Sequence, residues 1–355
     1  MLSRNENNSL QELYKINKKY TIVNKKLLVY ISMAIAVMCT CISGCSRTAE
    51  PVTETGFYLD TVVQITLYDT DDRDACVENI RGCFTLIDDY EHLFSTTIEG
   101  SDIWKINHAG GESVNVSDDT ITLIQTALNY SELSGGLVDL TVLPLSELWD
   151  FGSEGSAHIP SDTDIKEAVS HIDYRMIRID GNSVTLSDPE AAIDLGFIAK
   201  GYIADRLKEY LVNRGVESAC ISLGGNLITI GSKPDKNPYH IGIQKPFAAE
   251  GEIITTIDVT DSSVVSSGIY ERYFYEDDIL YHHLLDTATG YPADKNIAGV
   301  TILAPSSVDA DALSTTCFFL GVDMGMDLIE SLDNTEVLFV TIDGRLISSD
   351  GFPIP

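Results

Sequence analysis

The chain has 355 residues, and its 54 acidic side chains against 23 Lys and Arg give a formal net charge of −31. A field of that sign repels the phosphates of nucleic acids, so nucleic acid is excluded as a partner. The length is sufficient for one large domain or for two of modest size.

The N-terminal segment has the pattern of an export signal. Lys25 and Lys26 precede an apolar run that ends at Cys45, which is typical of a signal peptide. Residues 42–44 resemble a bacterial lipobox, in which the cysteine is acylated. We therefore expect residues 1–45 to be a signal peptide, 46–55 a tether, and a lipid anchor to hold the protein at the extracytoplasmic face of the cell membrane. A transmembrane anchor is the alternative, and it also leaves the globular part outside the cytoplasm.

The remaining chain predicts helices and short strands in irregular order. Alternating apolar residues predict a strand over 57–68, and apolar residues at helical spacing predict helices. The helices are predicted over 72–94, 118–134, 198–214, 309–320 and 322–332. Short β runs are predicted over 175–179, 183–187, 219–231, 241–244, 253–259, 263–268 and 281–285, with a closing hairpin over 337–350. Because no regular βαβ alternation is present, we expect an α+β fold with a mixed sheet and flanking helices.

Cysteine usage argues against a disulfide framework. Cys76 and Cys83 lie seven residues apart on one predicted helix, and no CxxC pair follows Cys45. Packing in the core explains this spacing better than a disulfide.

The stretch DLGFIAKGYIADRL, residues 194–207, places Lys200 at a predicted helix start. Free N–H groups and the positive end of the helix dipole can hold an anion there. Gly196 and Gly201 allow close approach of a ligand to the backbone. The chain contains no Walker A sequence, and an ordinary helix start is the alternative interpretation.

The stretch DADALSTT, residues 309–316, offers oxygen ligands at another predicted helix start. Asp311 and Thr315 are four residues apart, so they share one helix face. Mg²⁺ prefers such oxygen ligands and is completed by water and substrate phosphates. The alternative is an acidic N-terminal cap, which Asp309 fits better.

The stretch YHHLLDTATGYPA, residues 281–293, predicts a strand that enters a turn. Alternation along the strand allows only one of His282 and His283 to face a given side. A single histidine on a strand is usually structural, so spacing alone does not assign catalysis to either.

Six stretches together resemble one family. They are SGGLVDLTVLPLSELWDFG (134–152), DLGFIAKGYIADRL (194–207), SLGGNLITIGSKP (222–234), SSGIYERYF (266–274), HHLLDTATGYPA (282–293) and DADALSTTCFFLG (309–321). Their content and order resemble the ApbE family of FAD:protein FMN transferases. The resemblance spans residues 56–342 and leaves 343–355 as a C-terminal tail.

The resemblance implies an activity and its partners. Such enzymes use Mg²⁺ to split FAD, pass FMN to a threonine hydroxyl of an acceptor protein, and release AMP. FAD would be the substrate, Mg²⁺ the cofactor and an exported protein the acceptor. The anion expected beside Lys200 would then be the pyrophosphate of FAD.

The resemblance also implies roles for single positions. The metal ligands would be Asp311, Thr315 and the main-chain carbonyl of Phe197, where the family usually has a smaller residue. His283 would be the general base toward the acceptor threonine, and Lys200 the second catalytic residue. The FAD-binding positions would be Leu59, Leu137, Val138, Asp139, Asp194, Lys200, His283 and Leu284. The family commonly has an aromatic residue at 138, so the valine here argues against ring stacking.

The acceptor is expected to be a separate protein. Family acceptors carry a sequence resembling Asp or Ser, Gly-Ala, Ser or Thr, Gly or Ala, then Thr. The nearest match is DGNSVT at 180–185, which Asn182 and Val184 break. A turn between two strands accounts for these residues.

Two other functions remain open. The same metal site would serve Mg²⁺-dependent hydrolysis of FAD to FMN and AMP, with water as the nucleophile. A non-catalytic flavin-binding or solute-binding lipoprotein is the second. A two-lobed binding protein is expected to show repeated βαβ units, and this chain does not.

Overall fold

The computed structural model describes residues 50–151, 158–249 and 251–354. The predicted signal peptide, with Cys45, lies outside these ranges. The strands are β1 Val52–Tyr58, β2 Thr61–Leu67, β3 Val114–Asn115, β4 Ile177–Asp180, β5 Ser183–Leu186, β6 Ala219–Leu223, β7 Asn226–Ile230, β8 Tyr239–Gln244, β9 Ile253–Val259, β10 Ser263–Gly268, β11 Tyr273–Glu276, β12 Ile279–His282, β13 Ile297–Ala304, β14 Glu336–Thr341 and β15 Leu346–Ser348. The helices are α1 Arg73–Phe94, α2 Asp102–Asn107, α3 Asp118–Leu133, α4 Leu143–Trp149, α5 Asp162–Ser170, α6 Ala199–Asn213, α7 Ser307–Leu320 and α8 Val322–Glu330, with a 3₁₀ turn at Tyr174–Met176.

The main sheet has eight strands in the order β1-β2-β6-β7-β10-β13-β14-β15. Its neighbouring strands pair antiparallel, as in β2 with β6 and β10 with β13. One apolar cluster packs α1, α3 and α6 against β2, β6 and β7, and a second packs α7 and α8 against β10, β13 and β14. The predicted α+β class with flanking helices is confirmed, and the main sheet is antiparallel where a mixed sheet was expected. Within the described ranges, none of the helices is both long and apolar enough to cross a bilayer.

The single strand predicted over 57–68 is wrong, because β1 and β2 form a hairpin there. Leu59 and Asp60 make its two-residue turn, with φ values of 53° and 55°. Phe57 and Leu59 continue the odd-numbered apolar positions of β2 and so conceal the turn, although Phe57 is 71% exposed and the less exposed positions of β1 are the even-numbered ones. β1 begins at Val52, inside the segment predicted as a tether.

Several elements were absent from the sequence prediction, and β13 is the most important of them. It lies between β10 and β14, and almost all of its side chains are buried. A strand covered on both faces lacks the polar alternation that marks a half-buried one. α2, α4 and α5 were missed because they are too short to show several helical repeats.

The C-terminal residues contribute to the sheet. Residues 343–355 were predicted as a tail, yet β15 pairs with β14 and Phe352 is buried in an apolar cluster with Leu338. The closing hairpin predicted over 337–350 is confirmed by the same pairing.

The cysteines of the described ranges are free thiols, in agreement with the sequence interpretation. Cys76, Cys83 and Cys317 are buried, and Cys220 is half-buried. Burial raises the pKa of the Cys83 thiol to about 12 and that of Cys220 to about 11. Protonated thiols are poor nucleophiles, so packing is their evident role.

Two helices that carry predicted site residues, α6 and α7, pack closely at their N-terminal ends. A Cβ added to Gly201 would lie 2.3 Å from the Ser307 carbonyl oxygen and 2.7 Å from Val308 Cα. Asp205, one turn later, accepts hydrogen bonds of 2.9 Å from the backbone N–H groups of Ser307 and Val308. These N–H groups have no partner within α7, so Asp205 caps that helix from outside. The start of α6 is thereby held against the first turn of α7.

Candidate active site

Lys200 lies in the first turn of α6 at the centre of a charged cluster. Burial raises the pKa of the Asp194, Glu271 and Asp311 carboxyl groups, and the positive charge of Lys200 opposes that rise in all three. Such effects require short distances. The structure therefore brings Asp194 and Lys200, from one quoted stretch, together with Asp311 from another. The carboxyl groups outnumber the lysine, so a diphosphate bound here needs additional positive charge.

Asp311 is almost fully buried on α7, and its carboxylate is held by the other helix. The backbone N–H of Gly201 donates to Asp311 Oδ2 at 2.7 Å. Burial raises the pKa of Asp311 to about 6, against the lowering effects of Lys200, this N–H group and Asn226. A second ligand such as a metal ion would favour the ionised form further.

Asn226 was not identified from the sequence, although it lies in the quoted stretch SLGGNLITIGSKP. It is fully buried, and its side-chain oxygen accepts a hydrogen bond of 2.8 Å from Ser307 Oγ. Its Nδ2 has no hydrogen-bond partner of normal geometry among the described residues, yet it is near enough to lower the pKa of Asp311. The amide is thus directed toward the carboxylate that the sequence predicts as a metal ligand.

The donor set for a cation is made of oxygen atoms. Thr315 lies one turn after Asp311 on α7, and its Oγ1 is 3.4 Å from Ser267 Oγ. The carbonyl of Phe197 precedes α6 and would ordinarily accept from the N–H of Gly201, which bonds to Asp311 instead. Within the described ranges no other backbone N–H donates to this carbonyl. One carboxylate, one hydroxyl and one free carbonyl suit Mg²⁺, which keeps several waters.

Among the described residues no group of three or more His, Cys, Asp and Glu side chains could hold a metal ion. A cation bound at Asp311 would therefore be coordinated in large part by water and by the phosphates of a substrate, which is the usual arrangement for Mg²⁺ in phosphoryl transfer.

Glu271 and Arg272 complete the charged cluster and were also not singled out from the sequence. They follow β10 within the quoted stretch SSGIYERYF. Solvent reaches the Glu271 side chain, but protein atoms surround it closely enough that burial raises its pKa. The charge of Arg272 lowers the pKa of both Asp194 and His283. An acidic and a basic residue side by side, three and four positions after a strand, have no distinctive spacing that would mark them as site residues.

His282 and His283 point to different environments, as the alternation predicted. His282 is buried at the end of β12, with its ring 6.1 Å from that of Phe318. His283 is half-buried in the charged cluster, and its Nδ1 lies 3.3 Å from the Arg272 carbonyl oxygen. A carbonyl oxygen can only accept, so this contact requires a proton on Nδ1 and leaves Nε2 free to accept one.

Burial lowers the pKa of His283 to about 3, and Arg272, His282 and Lys200 contribute to the same shift. Burial also lowers the pKa of His282 to about 4. Both imidazoles are therefore neutral at physiological pH. Only His283 lies among the charged residues of the site.

Asp194 and Asp139 each form hydrogen bonds that fix the backbone around them. Asp194 Oδ1 accepts from the N–H of Gly196 at 2.7 Å, and its own N–H donates to the Leu140 carbonyl at 2.8 Å. Asp139 Oδ1 accepts from the backbone and hydroxyl of Thr141, and Oδ2 accepts from the Tyr174 N–H. The Asp139 carboxylate thus accepts three hydrogen bonds from within the protein. Its assignment as an FAD contact remains a prediction.

The other predicted FAD-binding positions lie on different elements. Leu59 occupies the β1–β2 turn rather than the expected strand, and its N–H donates to Glu91 Oε1 at 3.2 Å. Val138 and Leu284 are buried in the apolar cluster of α7, and Leu137 packs at its edge. The Val138 side chain is therefore part of the core, in agreement with the absence of a stacking ring at that position. Direct contact of these residues with a flavin remains a prediction.

Comparison of the sequence with known proteins identifies the family. The model of the ApbE family matches residues 59–339. The FAD:protein FMN transferase of Klebsiella pneumoniae (strain 342) is 38% identical over 269 residues, covering 75% of this chain and 83% of that protein. The enzyme of that name from Treponema pallidum is 33% identical over 284 residues, covering 76% and 78%.

Solved structures give the same result. The ApbE protein of Thermotoga maritima superposes with a TM-score of 0.77 at 33% identity, covering 85% of this chain and 97% of that one. The flavin transferase ApbE of Vibrio cholerae gives a TM-score of 0.74 at 29% identity, covering 85% and 98%. The family model and these relatives cover most of the described region, and the chain therefore belongs to the ApbE family.

Proposed function

We propose that this protein transfers FMN from FAD to a threonine hydroxyl of an exported acceptor protein and releases AMP, with Mg²⁺ as its cofactor. The observation that carries the proposal is the junction of α6 and α7. There Lys200, a free carbonyl at Phe197 and the Asp311 carboxylate come together. The curated relatives bear the name FAD:protein FMN transferase, which supports FAD as the substrate and a protein as the acceptor.

In the proposed reaction the acceptor oxygen bonds to the phosphorus of the FMN half, and the bond from that phosphorus to the AMP oxygen breaks. Little covalent chemistry is required of the protein, so positioning and charge neutralisation provide most of the catalysis. Lys200 and the N–H groups at the start of α6 would bind the diphosphate oxygens. Mg²⁺ held by Asp311, Thr315 and the Phe197 carbonyl would neutralise charge on the phosphates and act as a Lewis acid.

His283 is the proposed acceptor of the threonine proton. Its Nε2 is unprotonated because Nδ1 faces the Arg272 carbonyl. A pKa of about 3 is low for a general base, and part of that lowering comes from Arg272 and Lys200. A bound diphosphate would offset these positive charges and so raise the pKa of His283 toward the range in which a base is effective.

Lys200→Met tests whether this lysine stabilises the transition state or only binds FAD. We expect kcat at saturating FAD to fall about 10- to 150-fold, which corresponds to about 1.5–3 kcal/mol for a hydrogen bond to a charged group. FAD affinity should change less, since the helix start and Mg²⁺ also bind the ground-state phosphates. The measurements are FAD affinity by calorimetry and kcat for AMP release.

Lys208→Met is the matched control for Lys200→Met. Lys208 lies on the same helix but pairs with Asp261 at 2.9 Å. The Lys208→Met variant should have kcat and FAD affinity near the wild-type values. A Lys200→Met enzyme with unchanged affinity and unchanged kcat would show that Lys200 is not part of the site.

The competing functions differ from transfer in their products. FAD, Mg²⁺ and a candidate acceptor are incubated with the protein, and the acceptor is examined for covalent flavin fluorescence while AMP is quantified. Transfer yields AMP and fluorescent acceptor in equal amounts. AMP without labelled acceptor would indicate FAD hydrolysis, and neither product would indicate a binding protein.

We also propose that Cys45 carries a lipid that holds the enzyme on the outer side of the cell membrane. Cys45→Ala should release the protein from the membrane fraction or leave it as an unprocessed precursor, because the acylated residue is lost. Cys41→Ala, in the same apolar run, is the control and should be processed normally. A Cys45→Ala protein processed and membrane-bound like the wild type would overturn the lipid anchor.

A further inference from the structure

Three aromatic side chains form an exposed cluster beside the charged site. Phe247, Tyr273 and Tyr275 are 42%, 41% and 62% exposed. The Phe247 and Tyr273 ring centroids are 5.3 Å apart, and those of Tyr273 and Tyr275 are 5.8 Å apart. We call these three residues the aromatic patch. Clustered exposed aromatic residues are unusual on a soluble surface and are typical of contact sites for other proteins.

The backbone at Phe247 is an unusual feature of this patch. Its φ is 58°, in the left-handed region that bulky residues rarely adopt. The loop between β8 and β9 thus holds a phenylalanine at a conformational cost, although the ring remains partly in solvent. Strain kept at an exposed aromatic residue points to a role in recognition rather than in packing.

The patch is continuous with the charged site through the β11–β12 hairpin. Tyr273 directly follows Arg272, whose carbonyl accepts a hydrogen bond of 3.1 Å from the N–H of His283. Phe247 also contacts the ring of Tyr270, which precedes Glu271, with centroids 6.2 Å apart. A polypeptide that reaches His283 along this hairpin would pass beside the patch.

The turn of the same hairpin is acidic. Glu276, Asp277 and Asp278 are exposed, and the two aspartates have φ values of 51° and 62°. Within the described ranges, none of the three forms an ion pair with Lys, Arg or His. A strand rises about 3.3 Å per residue, so the turn lies about 15 Å from Arg272. Lys or Arg side chains of a partner would complement it.

From these observations we propose that the aromatic patch and the acidic turn bind the part of the acceptor polypeptide that flanks the threonine receiving FMN. The inference rests on the proposed transferase function and specifies the partner. The acceptor segment would carry an apolar residue next to the threonine and basic residues about five positions away. The patch would hold the apolar residue, and the turn would hold the basic residues.

The test uses two synthetic peptides with the same central sequence Asp-Gly-Ala-Thr-Ala-Thr-Leu, in which Leu is the apolar residue next to the last threonine. One peptide carries a Lys pair immediately before this sequence and a second Lys pair about five positions after the last threonine, and the other carries Glu pairs at both places. Transfer of FMN from FAD is followed by peptide fluorescence. AMP release without peptide and FAD affinity report on the active site alone.

A double variant, Phe247→Ala with Tyr275→Ala, removes two rings of the patch. We expect kcat/KM for the Lys peptide to fall about tenfold or more, as for contact residues that carry binding energy. AMP release without peptide and FAD affinity should not change. Met324→Ala, at a 60% exposed position on α8, is the control for loss of apolar surface and should leave all values unchanged.

A second double variant, Asp277→Asn with Asp278→Asn, keeps the turn because asparagine tolerates positive φ. Wild type should prefer the Lys peptide about tenfold, and this variant should lose most of that preference. Added salt should reduce the wild-type preference as well.

Each outcome decides the proposal. Equal transfer by wild type and the aromatic variant, or no preference for the Lys peptide, would overturn the docking surface and leave the transferase function intact. Wild type that releases AMP but modifies neither peptide would overturn the transferase function and this inference together.

Discussion

Asp311→Asn should reduce FMN transfer about a thousandfold or more while the fold is retained. Asn keeps the shape of the side chain and an oxygen that can accept from the Gly201 N–H, which Asp311 Oδ2 does at 2.7 Å. It removes the only carboxylate among the predicted metal ligands, so charge neutralisation at the phosphates is lost. Losses of about 10²- to 10³-fold follow removal of one electrostatic contact in other enzymes, and a lost cation adds to that.

AMP release and acceptor fluorescence measure this effect, with circular dichroism as the test of folding. A further readout does not depend on activity: Mg²⁺ with FAD should raise the melting temperature of wild type and not of the variant, since only a bound ligand stabilises the native state. Asp309→Asn is the matched control on the same helix, because its carboxylate accepts from Tyr130. Full activity and normal Mg²⁺ stabilisation in Asp311→Asn would refute the metal assignment.

Gly201→Ala should be strongly destabilising, although the same change stabilises most helices by about 1 kcal/mol. The added Cβ would lie 2.3 Å from the Ser307 carbonyl oxygen and 2.7 Å from the Asp311 Cβ and Val308 Cα. Backbone atoms cannot rotate away, so α6 and α7 must separate. Overpacking of this kind costs about 1–3 kcal/mol or more. The Gly201 N–H would also move from Asp311, and transfer activity should fall with it.

The measurements are the free energy of unfolding in urea and kcat for AMP release at a temperature where the variant is folded. Glu209→Ala removes an exposed side chain from the same helix, where Glu209 pairs with Arg206 at 2.9 Å. It should leave both values nearly unchanged. A Gly201→Ala protein as stable and as active as wild type would show that the helix junction does not determine the geometry of the site.

Much of the fold could be predicted because many helices, strands and turns have a recognisable local sequence pattern. α1 and α3 carry apolar residues at helical spacing, and the turn between β4 and β5 has the sequence Asp-Gly-Asn. β13 could not be predicted in this way, since burial on both faces removes the alternation. The turn at Leu59 was hidden because Phe57 and Leu59 continue the apolar alternation of β2, although Phe57 is exposed on β1.

Residues of the site could be predicted where they lie within a recognisable sequence motif. Lys200 and Asp311 were found in two quoted stretches, and the structure joins them through Gly201. Asn226 and Arg272 were missed, because a buried amide or an arginine after a strand has no distinctive spacing. Both residues matter because they contact distant parts of the chain, and a single sequence does not show such contacts.

The junction of α6 and α7 also determines when the protein can become functional during folding. The hydrogen bond from Gly201 to Asp311 spans 110 residues of chain, and β2 pairs with β6 across a comparable separation. Closing such long loops is slow compared with forming local helices. A partly synthesised or extended chain therefore has no diphosphate site. A flavin nucleotide would bind only the completed native state, and it would therefore stabilise that state and slow its unfolding.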